Sequence, residues 1–289
     1  MGQKTNSLIF RLGQTNSEWN YKYSEKNSEE SSLFLLKNFE IQNYIDRIFK
    51  FYGLILQNFQ IEQNSNSINI YIAFFEQKYK TKKLYLDNFK KHNHLKSSNK
   101  ILYPINSKQL ILFLNNYIIN ICLKLYFKNK TINLKTQNLN KKFENTINKN
   151  NNKLIYKKTL QNFKRFLKDP FFQNFIQVLF ITVSQKNSSK LLAESLAYYF
   201  QKSKKKHNFL LFFIKTTLNK LINNNFSKIL GIKITIVGRL NGAPRAKKKI
   251  LNLGVIPLQS LKSSISYHNS VAYTQNGTFG IKVWICEKD

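Results

Sequence analysis

Any fold open to this chain must hold together against its own charge. It carries 47 Lys and Arg against 14 Asp and Glu, a formal net charge of +33 on 289 residues. In a compact domain such an excess repels itself, and it is tolerable when a polyanion neutralises it; RNA and DNA are the densest polyanions available. Nucleic acid is therefore the default partner. A basic membrane-surface protein would concentrate its charge beside one anchor, whereas lysine here recurs from Lys4 to Lys288.

The charge does not preclude folding. An apolar share of 42%, with 24 Phe and 15 Tyr, is enough for small cores, and the length fits about two domains. The basic residues are nearly all lysine, with Arg11, Arg47, Arg165, Arg239 and Arg245 as the arginines, and Asn, Ile, Phe and Tyr are abundant. These amino acids share A- and T-rich codons, so the skew describes an organelle-type or parasite-type genome. The expected compartment is the mitochondrial matrix, with the gene in the organelle genome, ahead of a plastid.

Cys122 and Cys286 stand far apart, and the histidines are His92, His94, His207 and His268. Without a CxxC pair, neither a zinc site nor a disulfide framework is expected, and no cofactor. The start, Met1 to Thr5, has no apolar stretch or Arg-rich leader, so no cleavable signal is expected. The apolar run Leu110–Phe127 contains Asn115, Asn116, Asn120 and Lys124, which favours a buried or amphipathic helix over a membrane span. No membrane anchor is expected.

Hydrophobic period divides the rest. Ile41, Tyr44, Ile45, Ile48, Phe49 and Tyr52 form one helical face. Beyond Gly53, Ile55, Phe59 and Ile61, then Ile68, Ile70, Ile72 and Phe74, predict a hairpin across the polar link Gln63–Ser67. Asn174–Val183 is nearly continuous apolar and rich in β-branched residues, which predicts a strand buried on both faces. From Lys78 to Lys168 lysine and asparagine dominate, with a polar tract at Lys141–Lys153, and much of this insertion is expected to order only on RNA. Helices are predicted over Ser189–Gln201, with Ser189 as N-cap, and over Asn208–Asn224. A period of two then marks strands at Ile232–Ile236, Ile265–Tyr273 and Ile281–Ile285, so the last third reads as an α+β domain.

Some of these residues carry a resemblance. Met1-Gly2-Gln3-Lys4, Arg11-Leu12-Gly13 and Trp19 resemble the start of the universal small-subunit ribosomal protein S three family. Gly231-Ile232-Lys233-Ile234, Val237 to Ala243, Val255 to Leu258 and Gly280 to Ile285 resemble its carboxyl domain in order and spacing. The resemblance implies a type II K-homology domain, helix-strand-strand-helix-helix-strand, then a two-helix domain with an antiparallel sheet. It also implies a place in the head of the small subunit at the side where mRNA enters. The expected organisation is an rRNA-associated arm at 1–40, a K-homology-like domain at 41–185 interrupted by the insertion at about 78–168, and the carboxyl domain at 186–289. Asn174–Val183 would then be the last strand of the K-homology-like domain.

One departure is plain. A K-homology domain clamps single-stranded nucleic acid with a GXXG loop, because glycine lets the backbone approach phosphate closely, yet no glycine occurs between Gly53 and Gly231. The loop after Phe74, Glu76–Lys83, attracts phosphate by charge without clamping it, so no independent sequence-specific RNA binding is expected there. The GxxG at Gly277–Gly280 precedes a strand and reads as a turn.

The family carries a basic cluster at the helix–helix junction of its carboxyl domain, near incoming mRNA. The matching residues are Lys202, Lys204, Lys205, Lys206 and His207, with Lys215 and Lys220 further on. Lysine or histidine replaces the family's usual arginine, keeping charge and losing bidentate forks, so a duplex-opening role is not carried over. For rRNA, the candidates are Lys4 and Arg11 in the arm and Arg239, Arg245, Lys247, Lys248 and Lys249 at a Gly-rich bend. Tyr198, Tyr199, Phe200, Phe209, Phe212 and Phe213, at helical spacing, are expected in a core or protein interface rather than stacked on bases.

No poised carboxylate pair, nucleophile with its base or phosphate loop is present, so no enzyme is expected. The expected function is that of a structural constituent of an organellar small subunit. Its partners would be small-subunit rRNA, mRNA and neighbouring head proteins, in one copy rather than as a homo-oligomer. A maturase or other free RNA-binding protein, and a DNA-packaging protein, are the rival readings.

Overall fold

In a computed structural model, residues 5–13, 19–64, 66–77, 131–147, 170–202, 207–224 and 226–288 are described. They fall into two compact units, Trp19–Leu139 and a second made of Met1–Glu18 with Asn140–Asp289. Both mix helix and sheet. The division comes at 139/140, whereas the sequence places it at 185/186.

The first unit contains β1 (Tyr21–Tyr23), α1 (Glu30–Phe51), β2 (Leu54–Gln63), β3 (Ser67–Glu76) and β4 (Thr131–Asn138), with sheet order β1-β2-β3-β4. Strands β2 and β3 form the predicted antiparallel hairpin, while β1 joins β2 and β4 joins β3 in parallel. The helical face read from the sequence does the packing: Ile41, Ile45 and Phe49 close on Leu56, Phe59, Ile61, Ile68, Ile70, Ile72 and Phe74. Burying a side chain of this size contributes about 1.5–3 kcal/mol. Helix α1 begins well before Ile41, so residues 30–40 are helix and not arm. The apolar period fails there because Leu33, Leu36 and Phe39 point to solvent.

The second unit contains α2 (Leu139–Ile147), α3 (Pro170–Ser184), α4 (Ser189–Lys202), α5 (His207–Ile222), β5 (Ile229–Gly238), β6 (Lys247–Gly254), β7 (Ile265–Thr274) and β8 (Gly277–Glu287). Its sheet is antiparallel in the order β6-β5-β8-β7. Ile232, Ile234 and Ile236 of β5 and Ile281, Val283 and Ile285 of β8, none of them exposed, meet the helices.

Three expectations need correcting here. Asn174–Val183 is not a strand but lies within α3. Its proline stands at the first helical position, where the missing N–H costs nothing. A helix covered on all sides is apolar on all sides, and so loses the period that would distinguish it from a buried strand. Phe175 packs 4.2 Å from Tyr199 of α4 and 6.2 Å from Phe213 of α5, ring to ring. Second, the expected insertion contains ordered pieces: β4, and α2 across the start of the polar tract at Lys141. Third, helix α4 starts at Ser189 with Ser188 before it, whose carbonyl accepts the Leu192 N–H at 3.1 Å, so the N-cap is one residue earlier than expected.

Leu110–Phe127, Cys122 and the lysine loop 78–83 lie outside the described residues. Among the described residues no helix is long and apolar enough to cross a membrane.

Candidate nucleic-acid interface

Two basic segments far apart in sequence meet where α4 gives way to α5. The second follows β5, where Leu240–Gly242 makes a single 3-10 turn with Asn241 in the left-handed region at φ 55°. Asparagine tolerates that conformation because its short polar side chain bonds locally. Here the bond goes to α5. Asn241 Oδ1 accepts the His207 backbone N–H at 3.0 Å, and the Asn241 N–H donates to His207 Nδ1 at 3.0 Å. The imidazole is buried, its ring centroid 5.4 Å from Phe200 and 5.2 Å from Phe279. His207 is thus a fastener rather than a member of the exposed basic cluster, as the sequence reading had it.

Around this fastener the cations are exposed. Lys202 ends α4; Arg239 is held by its Nε donating to Ala243 O at 2.9 Å; Arg245 and Lys247 lie on the surface beyond it. Lys249 Nζ donates to Asn208 Oδ1 at 2.6 Å, tying β6 to the first turn of α5. Lys204, Lys205 and Lys206 lie outside the described residues. Lys215 and Lys220 are exposed on α5, but eight and thirteen residues beyond His207 puts them about 12 and 20 Å along the helix. They continue the cationic surface away from the junction rather than crowding it.

The run Lys247–Lys248–Lys249 is not one patch. It forms the first residues of β6, and successive side chains of a strand point to opposite faces. Lys247 and Lys249 turn to the helix side and Lys248 to the other face of the sheet.

Arg11 is also corrected. It is buried, at 2% exposure, with Nη1 donating to Ser7 O at 3.0 Å and Nη2 to Leu258 O and Ser260 O, both at 2.7 Å. The guanidinium donates to carbonyls of its own unit, so Arg11 ties its segment to the 257–260 loop and is turned away from the surface. Lys4 lies outside the described residues. The aromatic residues of α4 and α5 behave as expected, with Tyr199, Phe200 and Phe213 in the core, although Phe212 is exposed. Gly277 sits in the β7–β8 turn at φ 117°, agreeing with the turn reading of that GxxG.

The family match falls on this same region. Residues 213–285 match the family described as Ribosomal protein S3, C-terminal domain. The chain is 37% identical over 102 residues to the small ribosomal subunit protein uS3 of Thermotoga petrophila, covering 35% of this chain and 45% of that one. It is 36% identical over 113 residues to uS3c of Chlamydomonas moewusii, covering 38% and 13%, and 51% identical over 59 residues to uS3c of Cyanidium caldarium, covering 20% and 28%. The chain thus spans less than half the length of these curated relatives. The uS3c proteins are chloroplast forms from algae, which points to a plastid and overturns the mitochondrial expectation. A codon skew towards A and T is common to both organelles and could not separate them. The family is one of structural ribosomal proteins, not enzymes. Residues 213–285 thus carry the carboxyl domain of ribosomal protein S3, and the chain is similar over that part of its length to small-subunit proteins of the universal S3 family, organellar forms among them.

Proposed function

We propose that the chain is a structural constituent of the head of a plastid small ribosomal subunit, binding small-subunit rRNA and neighbouring ribosomal proteins in one copy per particle. The surface around the α4–α5 junction lines the path of entering mRNA. The observation that carries this reading is the His207–Asn241 clasp, which holds two basic segments beside one another and leaves Lys202, Arg239, Arg245 and Lys247 facing outward. Such a surface neutralises phosphates and fixes geometry without chemistry. Lys215 and Lys220 continue it down α5, and Lys204, Lys205 and Lys206, which lie outside the described residues, stay candidates on their sequence alone. Lys249 contributes from the helix side of β6, whereas Lys248 lies on the other face of the sheet.

The first unit is proposed as a degenerate K-homology-like domain. Its support is the helix-strand-strand order of α1, β2 and β3, with β4 as the added strand. Lacking GXXG, it contributes charge and protein contacts rather than base recognition.

The test is sedimentation of organelle lysate at moderate and at high salt, since phosphate contacts weaken steeply with ionic strength. The chain is expected to stay with the small subunit after free RNA-binding proteins have washed off. Release with bulk nucleic acid, or a position at the top of the gradient, would favour the free RNA-binding or DNA-packaging readings.

A further inference from the structure

The carboxyl sheet has a second face that no helix among the described residues covers, and it is not neutral. The register places Lys233 of β5, Trp284 of β8 and Tyr267 of β7 in one row across the strands. The next row is Ile250, Thr235, Lys282 and Asn269; the one after is Lys248, Val237, Gly280 and Val271. These positions alternate with the buried Ile232, Ile234, Ile236, Ile281, Val283 and Ile285, so they all lie opposite the helices.

At one end the face is closed, with Ile265 and Cys286 buried. From there it opens. Tyr267 and Trp284 lie with centroids 5.1 Å apart and planes at 37°, and Lys233 Nζ sits 5.6 Å from the Trp284 ring centre. Tyr273, 70% exposed, stands at the far end of β7. Between Val237 and Val271, Gly280 leaves the backbone bare, and a Cβ there would meet nothing within 4 Å. Lys248 and Lys282 are exposed, and no outward position on the four strands is an Asp or Glu.

We propose that this face is a stacking platform for single-stranded RNA. Aromatic rings on an open sheet give bases a surface to stack on, and flanking lysines track the phosphates. A protein partner would gain from the exposed Val237, Ile250 and Val271, but it would have to bring carboxylates to Lys233, Lys248 and Lys282, which face none among the described residues. A polyanion carrying its own flat apolar bases answers both features at once. This inference rests on the RNA-binding reading above, yet it concerns a surface separate from the junction.

The experiment uses the full chain with Trp19→Phe, which leaves Trp284 as its only indole. Its emission is followed during titration with an oligouridylate of about ten nucleotides, within the usual span of one such platform, and with an RNA duplex of equal phosphate number. Single strand is expected to quench Trp284 and to bind more tightly than duplex, whose bases cannot splay onto the rings. Tyr267→Leu should weaken single-strand binding about tenfold, within the range of one lost base stack, and Lys282→Gln, a surface change that spares the fold, should weaken it about threefold. If both RNAs bind equally and Trp284 emission stays constant, the platform is overturned while the junction reading survives. If neither binds, both fall. Crosslinking of Tyr267 or Tyr273 in intact subunits to a protein rather than to RNA would also overturn it.

Discussion

His207 and Asn241 each donate a backbone N–H to the other's side chain, both bonds at 3.0 Å, so two loops thirty-four residues apart are closed into one structure. His207→Ala should leave the Asn241 N–H without its acceptor and open a gap beside Phe200 and Phe279, at a cost of about 2–4 kcal/mol. Asn241→Gly keeps the left-handed backbone and loses one bond, costing on the order of 1 kcal/mol. Urea denaturation of both single variants and the double variant should show non-additivity, since the residues share the same contacts.

Arg11 should behave as a structural residue. Arg11→Ala strips donors from the 257–260 loop, and each bond to a charged donor is worth about 1.5–3 kcal/mol. The variant should lose stability and expose the segment around Ile9 to proteolysis, while RNA affinity of the folded fraction stays unchanged. An equal fall in RNA affinity would restore Arg11 to the interface.

Gly254 has φ 70°, and a Cβ there would run into the backbone of Leu230 on the neighbouring strand. Gly254→Ala should therefore cost about 2 kcal/mol or more, combining left-handed strain with the collision. Gly277→Ala has the positive φ without a neighbour and should cost about 1–2 kcal/mol. Thermal unfolding of the two variants separates the terms.

Burial pushes the Glu287 carboxyl above its ordinary value of 4.5, more than the Asn187 N–H bond and nearby Lys186 pull it down. A raised carboxyl binds its proton more tightly in the native state, so its protonation favours folding. The contribution of Glu287 to stability should be fully present below about pH 4.5, the unfolded value, and be lost as pH rises through the higher folded value. Glu287→Gln keeps an oxygen for Asn187 and cannot ionise. Its melting temperature should vary less than that of the parent between about pH 4 and about pH 7.

At the junction, Arg245→Gln and Lys247→Gln should each lower the slope of log affinity against log salt by about one, if each meets one phosphate. Lys22, whose partner is Glu62 at 3.1 Å on the first unit, serves as a control whose replacement leaves the slope alone.

Several elements were legible because one face is buried and one is wet. Ile41, Ile45 and Phe49 recur at helical spacing since only one side of α1 meets the hairpin, and Ile232, Ile234 and Ile236 alternate since only one side of β5 meets the helices. Helix α3 was not legible as a helix, because residues such as Phe175, Val178 and Ile181 are buried on every side and burial on every side erases period. Strand β7 was read as a strand for a reason that turned out reversed. Its alternating Tyr267, Asn269, Val271 and Tyr273 face outward, while Ser270 on the inner side donates to the Ala193 carbonyl at 2.8 Å. The alternation gave the conformation but not the side.

The sequence by itself determined that this chain carries a large excess of positive charge, that its last third is two helices followed by strands, and which family that third resembles. Charge and period are properties of residues and their neighbours along the chain, and they survive without knowledge of what packs where. Direction is different. Whether Arg11 reaches towards solvent or into the carbonyls of Leu258 and Ser260, whether His207 presents a charge or clasps Asn241, and which of Lys247, Lys248 and Lys249 share a face were decided by tertiary structure alone. Each depends on a partner supplied from a distant part of the chain.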